Sequence, residues 1–217
     1  MIDYWLQWMP LLWKGLVTTV EVTAYSAVLA LLLAALTGIC RLSRFRAIRG
    51  LALLYVLTFR GIALLVLLFW IYYVLPYMNI ELSKTMAAVL ALGLNYGAFG
   101  SEIVRSSILA VPQGQWEAAR ALNMTPAQRM VRIIFPQALI RMIPPFNNLM
   151  IELLKASSLL FFIGLADLVH QSNVLRGLYL QQTTQIYLTL LIIYFILASM
   201  ISFAFRLLER RWSAGRL

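Results

Sequence analysis

Residues 186–205, IYLTLLIIYFILASMISFAF, contain no charged side chain. A helix of about 20 residues rises about 30 Å, which is the thickness of a bilayer's hydrocarbon core. Lipid offers backbone groups no hydrogen-bond partners, so a spanning segment must satisfy them internally, as a helix does. This stretch predicts a membrane helix and excludes most soluble folds. Residues 16–40, 51–75, 85–111 and 145–165 are less clean candidates of similar length. Charged residues make up 12% of the chain and hydrophobic ones 62%, against about 25% charged in soluble domains. The expectation is an all-α integral membrane protein of about five transmembrane helices.

The net charge of +10 is unevenly placed. Arg41, Arg44, Arg46 and Arg49 follow the first span; Arg120, Arg129 and Arg132 lie between the third and fourth; Arg206, Arg210, Arg211 and Arg216 close the sequence. The other connections carry only Lys84 and Arg176, and the N-terminal segment only Lys14. Basic loops stay cytoplasmic, so the N-terminus should lie outside and the C-terminus inside, as an odd number of spans requires. The chain then divides into an interfacial or periplasmic segment (1–15), a transmembrane domain (16–209) and a basic cytoplasmic tail (210–217). Tyr4, Trp5, Trp8 and Trp13 fit an outer aromatic belt. No basic n-region precedes this start, unlike a signal peptide. Cys40 is the single cysteine, and packing is its default role.

Residues 117–138, EAARALNMTPAQRMVRIIFPQA, stand apart as polar and basic. A run of helix formers ends at Asn123, which tolerates a left-handed cap. Thr125, Pro126 and Gln128 then write a capping box with proline at the first helical position. The pattern is helix, tight turn, helix. The loop carries a glutamate and lacks the dense basic stripe of a nucleic-acid reader, so no nucleic-acid partner is expected.

This stretch resembles the EAA loop of permease subunits in bacterial ABC importers. Glu117, Ala118 and Ala119 match the motif, Asn123 stands for its glycine, and Phe135-Pro136 for its Leu-Pro pair. LNYGAFGSEIVRSSILAVPQGQWEAA, ELLKASSL, GLADL and LLERR extend the resemblance to the polar amino-acid uptake branch. FRGIALLVLLF is similar to that branch's FRGTPLLVQLF, with Ile62, Ala63 and Leu67 replacing Thr, Pro and Gln. ALNMTPAQRM and PPFNNLMIELLKA are similar to permeases for ectoine-type solutes. The resemblance implies a multi-pass protein of the bacterial inner membrane that imports a polar amino acid or related zwitterion by alternating access. It implies a cytoplasmic ATPase dimer, a second permease subunit (same or sister chain) and an extracytoplasmic solute-binding protein as partners, besides membrane lipid. The EAA loop, about residues 113–136, would be the coupling helix on the ATPase, with Glu117, Ala118, Ala119 and Asn123 at the contact. The chain has no phosphate-binding G-x-x-x-x-G-K-[ST] loop. ATP and Mg should belong to the ATPase, with no cofactor, metal or catalytic residue here.

Ionisable groups inside a membrane need a reason, since each costs about 2.5–3.5 kcal/mol at the centre. The third span holds Asn95, Glu102 and Arg105; the fourth holds Asn147, Asn148, Glu152 and Lys155. Glu102–Arg105 and Glu152–Lys155 are spaced i,i+3, on one helix face. They are either ion pairs that pin helices or a polar lining for a zwitterion, in which Asn95, Glu102, Asn148, Glu152, Lys155 and Ser157 would border the pathway. Relatives that read K-E-S-S differ here, where Lys155-Ala156-Ser157-Ser158 lacks the carboxylate; that argues against a cationic cargo. Gly93, Gly97 and Gly100 suit close helix packing or solute approach. Pro136, Pro144 and Pro145 should break the entry to the fourth span. Arg60 reads as an interfacial anchor. Asp167, in an external connection, is a gate or docking candidate. The competing reading is a stand-alone channel or secondary transporter.

Overall fold

The computed structural model describes residues 2–213, with side chains for residues 8–212. Nine α-helices follow in order among these: α1 (Ile2–Cys40), α2 (Arg46–Gly61), α3 (Leu64–Phe69), α4 (Lys84–Leu109), α5 (Gln113–Ala121), α6 (Pro126–Arg129), α7 (Phe135–Ala156), α8 (Leu168–Leu178) and α9 (Thr183–Ser213). Four stretches are long and apolar enough to cross a membrane: Trp8–Cys40, Lys84–Leu109, Pro126–Ile163 and Leu180–Trp212. A fifth is the bent pair Arg46–Gly61 and Leu64–Met78. The all-α membrane expectation holds.

The second span differs from the unbroken helix expected over residues 51–75: it turns by 101° between α2 and α3. Ile62 and Ala63 are extended, at ψ 132° and 130°. Breaking a helix orphans its last carbonyls. Here the Thr58 carbonyl accepts from Ile62 N–H at 3.2 Å, and the Phe59 carbonyl accepts from the Asn95 side chain at 2.7 Å. Asn95 is 5% exposed. The bend thus persists with alanine at position 63, because a side chain from α4 caps it.

α4 sits centrally against α1, and small residues allow it. A Cβ at Gly93 would stand 2.5 Å from Leu29 Cδ2, and one at Gly100 would stand 2.7 Å from Ala34 Cβ. Of the two uses expected for these glycines, helix packing is the one realised. Gly100→Leu should therefore drive α1 from α4: Ala34 has no rotamer to yield, and overpacking costs about 1–3 kcal/mol or more. Its membrane level and monodispersity in detergent should fall sharply, whereas Gly50→Leu, with open space around it, should leave both unchanged.

Pro144 and Pro145 lie inside a continuous α7 and do not break the span. The irregularity falls earlier, in the π-helical turn Met130–Ile134 directly before Pro136. A wider turn relieves the clash of a proline ring with the preceding turn and absorbs its missing donor. Trp8 also departs from expectation. It is 1% exposed and packs with Leu12, Leu168, Leu175 and Ile186, while Trp13 is exposed as an interfacial residue would be. The side chains of Tyr4, Trp5 and Arg216 lie outside the described residues. α9 exposes Leu191, Phe195, Met200 and Phe203, so its uncharged run, residues 186–205, suits a helix bathed largely in lipid.

Candidate functional site

Two regions carry the chemistry. In the first, α5 ends in a Schellman motif: Met124 N–H donates to the Ala119 carbonyl at 3.2 Å and Asn123 N–H to that of Arg120 at 2.9 Å. Asn123 takes φ 54°, the left-handed conformation expected of it. Thr125 accepts from Gln128 N–H at 3.3 Å, and the Gln128 side chain accepts from Thr125 N–H at 3.0 Å, completing the capping box. Two locally specified helices thus meet at a fixed angle. Glu117, Ala118, Ala121 and Leu122 are exposed on this element, Leu122 at 73%. Ala119 is fully buried. It packs inward, so of the residues expected at a partner contact it cannot touch one directly.

The second region is a cavity of about 320 Å³ bordered by Arg60, Phe99, Glu102, Ser106, Asn148 and Glu152. Glu102 is its hub. One carboxylate oxygen accepts from Arg41 Nη1 at 2.5 Å; the other accepts from Arg105 Nη2 at 2.7 Å and Nε at 3.1 Å. Arg60 stands 4.0 Å from the same carboxylate and 5.0 Å from the centre of the Phe99 ring. Both Glu102 oxygens are thus engaged by Arg41 and Arg105, while Arg60 keeps donors toward the cavity, its side chain 40% exposed. Asn148 and Glu152, one turn apart on α7, face the same space from the other side. Glu152 is exposed.

Of the expected pathway residues, Glu102, Asn148 and Glu152 come together here. Asn95 is spent on the α2–α3 bend. Ser157 is buried, donating to the Leu154 carbonyl at 2.7 Å. Lys155 borders a different crevice with Tyr187 and Tyr194. Among the described residues, Glu152 and Lys155 form no ion pair with each other, because their side chains leave α7 toward different neighbours. Arg41 and Arg60 are the additions. Both sit at helix ends remote in sequence from Glu102, so no local spacing pointed to them.

Asp167 is buried, not displayed for docking. It caps α8, accepting from His170 N–H at 2.8 Å, while the neighbouring Leu168 N–H donates to Thr19 on α1 at 3.1 Å. Its other oxygen has no partner. Burial pushes its carboxyl up to about 6, from 3.8. An acid with a raised folded-state pKa binds more protons folded than unfolded between those values, so stability falls as pH rises through the window. Asp167→Asn keeps the capping oxygen without the charge. In detergent it should match the parent's melting temperature near pH 4 and exceed it at pH 7.5.

A family profile described as "Binding-protein-dependent transport system inner membrane component" matches residues 7–214. The chain belongs to that family. It is a permease subunit of an ABC importer, a multi-pass protein of the bacterial inner membrane. The permease is 40% identical over 221 residues to the "Probable amino-acid ABC transporter permease protein y4tF" of Sinorhizobium fredii, covering 98% of this chain and 92% of that one. It is 39% identical over 202 residues to the "L-cystine transport system permease protein TcyB" of Bacillus subtilis, covering 93% and 86%. Among solved structures it is similar to a chain of "an amino acid ABC transporter with histidines", with TM-score 0.89, 32% identity and 97% and 98% of the two chains covered. An inward-facing form of the MetNI methionine ABC transporter shares the fold, with TM-score 0.79 at 24% identity, over 94% and 97%.

Proposed function

We propose that this permease imports an α-amino acid or a related small zwitterion, such as ectoine or hydroxyectoine, and that the Arg60–Glu152 cavity is a station on its path. The observation that carries this reading is the pair of opposite charges facing one cavity, Arg60 with free donors and Glu152 exposed. A guanidinium fits a carboxylate bidentately. Glu152, with the Asn148 amide oxygen, suits an ammonium group. Ala156 supplies no further carboxylate for a cationic side chain, which favours cargo of neutral or acidic character. Relatives named for amino acids, cystine among them, support the class.

Import then needs an outside force. In this reading the basic loops face the cytoplasm, α5 docks on an ATPase dimer that carries ATP and Mg, a second permease (same or sister chain) completes the pore, and a solute-binding protein delivers cargo. The chain itself catalyses nothing and binds no nucleic acid. The test is ATP-driven uptake in vesicles holding the complete transporter. Arg60→Gln should raise KM about 10–100-fold, the loss expected when a hydrogen bond to a charged group worth about 1.5–3 kcal/mol disappears. Unchanged KM for every transported zwitterion would remove the cavity from the path. Competition by ectoine against amino acids separates the two cargo classes. Uptake by the chain without an ATPase would favour a stand-alone carrier.

A further inference from the structure

A second cavity, of about 370 Å³, opens where α1 ends. Ile39, Leu42, Ile48, Ile108, Met130 and Phe135 line it, from the ends of α1 and α4, the start of α2 and the π-helical turn leading into α7. Its walls are chiefly apolar, and the segment beside it is basic. Arg44, Arg46 and Arg49 are exposed on the segment that forms one wall. Arg44 leans on the Phe45 ring at 5.1 Å, and none of the three has an acidic partner among the described residues. Arg46 and Arg49 occupy the first turn of α2, a 16-residue helix with no acidic residue in that turn and no side-chain cap at Phe45. Cations there oppose the positive end of the helix dipole, an arrangement that an anion relieves. Phe45, Ile48 and Leu51 are exposed on the same segment, so the basic stretch beside the cavity also carries apolar side chains suited to the membrane interface.

We propose that this cavity is a site for an anionic phospholipid, one acyl chain lying between α1, α4 and the Met130–Phe135 segment, its phosphate held by Arg46 and Arg49. Juxtamembrane arginine clusters attract anionic headgroups, and an apolar slot continuous with the bilayer takes the tail. The site bridges the α1–α2 turn and the segment that follows the α5–α6 element. A bound lipid would therefore brace the base of the coupling loop. The proposal rests on the membrane reading and is independent of the cargo.

The test uses the detergent-purified complete transporter, equilibrated with equal amounts of phosphatidylglycerol and phosphatidylcholine of matched chains, with retained lipid counted by native mass spectrometry. Phosphatidylglycerol should be retained in preference. Neutralising each arginine should weaken its retention roughly fivefold, as expected for a basic residue near an anionic surface, so Arg46→Gln with Arg49→Gln should nearly abolish it. Ile48→Glu, at a 43% exposed position on the wall, should do the same without touching an arginine. Arg210→Gln with Arg211→Gln, on the tail of α9, should change nothing. Equal retention of the two lipids overturns the site, as does equal loss from the α2 and α9 variants, which would mean diffuse attraction only. Retention undiminished in both the arginine and the Ile48 variants overturns it as well. Transport is not the readout, so failure here leaves the proposed cargo path standing.

Discussion

Replacing Ala118 by tryptophan should all but abolish ATP-driven uptake while the subunit reaches the membrane at its normal level. Ala118 lies exposed on α5, one turn before the helix's C-terminal Schellman motif. The exchange costs the helix only about 0.5 kcal/mol in propensity, but it adds a large aromatic side chain to a face otherwise built of Ala121 and Leu122. A partner fitted to that smooth face would be held away, and a rigid displacement could no longer pass between the proteins. The variant should recover much less ATPase on purification. Solute-stimulated ATP hydrolysis should drop with uptake, because any coupling of binding energy between two sites is reciprocal. Ala119→Glu should behave differently. It forces a charge into a fully buried position, so it should lower the amount of folded protein before any question of docking arises. Normal uptake by Ala118→Trp would show that this face of α5 is not the transmission.

Glu102→Ala should markedly destabilise the folded permease. The carboxylate joins Arg41 from the end of α1 to Arg105 on α4, with Arg60 from the end of α2 at 4.0 Å. Removing it leaves like charges facing one another in a partly dehydrated space. Breaking a buried pair from one side costs about 3–5 kcal/mol, and the partial exposure of Glu102 (31%) places this case toward the lower end. Thermal unfolding in detergent should shift down by several degrees, with aggregation on gel filtration. Adding Arg105→Gln should recover part of that loss, since it removes one stranded cation; a double-mutant cycle reads the coupling directly. A melting temperature unchanged in Glu102→Ala would mean that the cluster holds nothing together.

How much of this was legible in the residue order depends on how local each cause is. The membrane class follows from runs such as residues 186–205, since transfer of apolar side chains needs no tertiary information. The helix–turn–helix of residues 113–136 was equally readable, because Asn123, Thr125, Pro126 and Gln128 act on backbone groups within a few positions. The Glu102–Arg105 pair, three residues apart, formed as spaced. Glu152–Lys155 has the same spacing and did not pair, because spacing fixes only a shared face and neighbouring helices decide where each side chain turns.

The sequence by itself thus determined the solvent this protein lives in, its helical class, the capped loop and, through matching motifs, its family. Tertiary structure alone decided the rest. Asn95 caps a bend 36 residues away in sequence, Trp8 turns inward to pack beside α8 and α9, and Ala119 faces inward while Ala118 faces out. Arg41 reaches Glu102 across 61 positions. Each outcome depends on which helix faces lie against one another, and close packing over the glycines of α4 settles that through contacts between residues far apart in the chain.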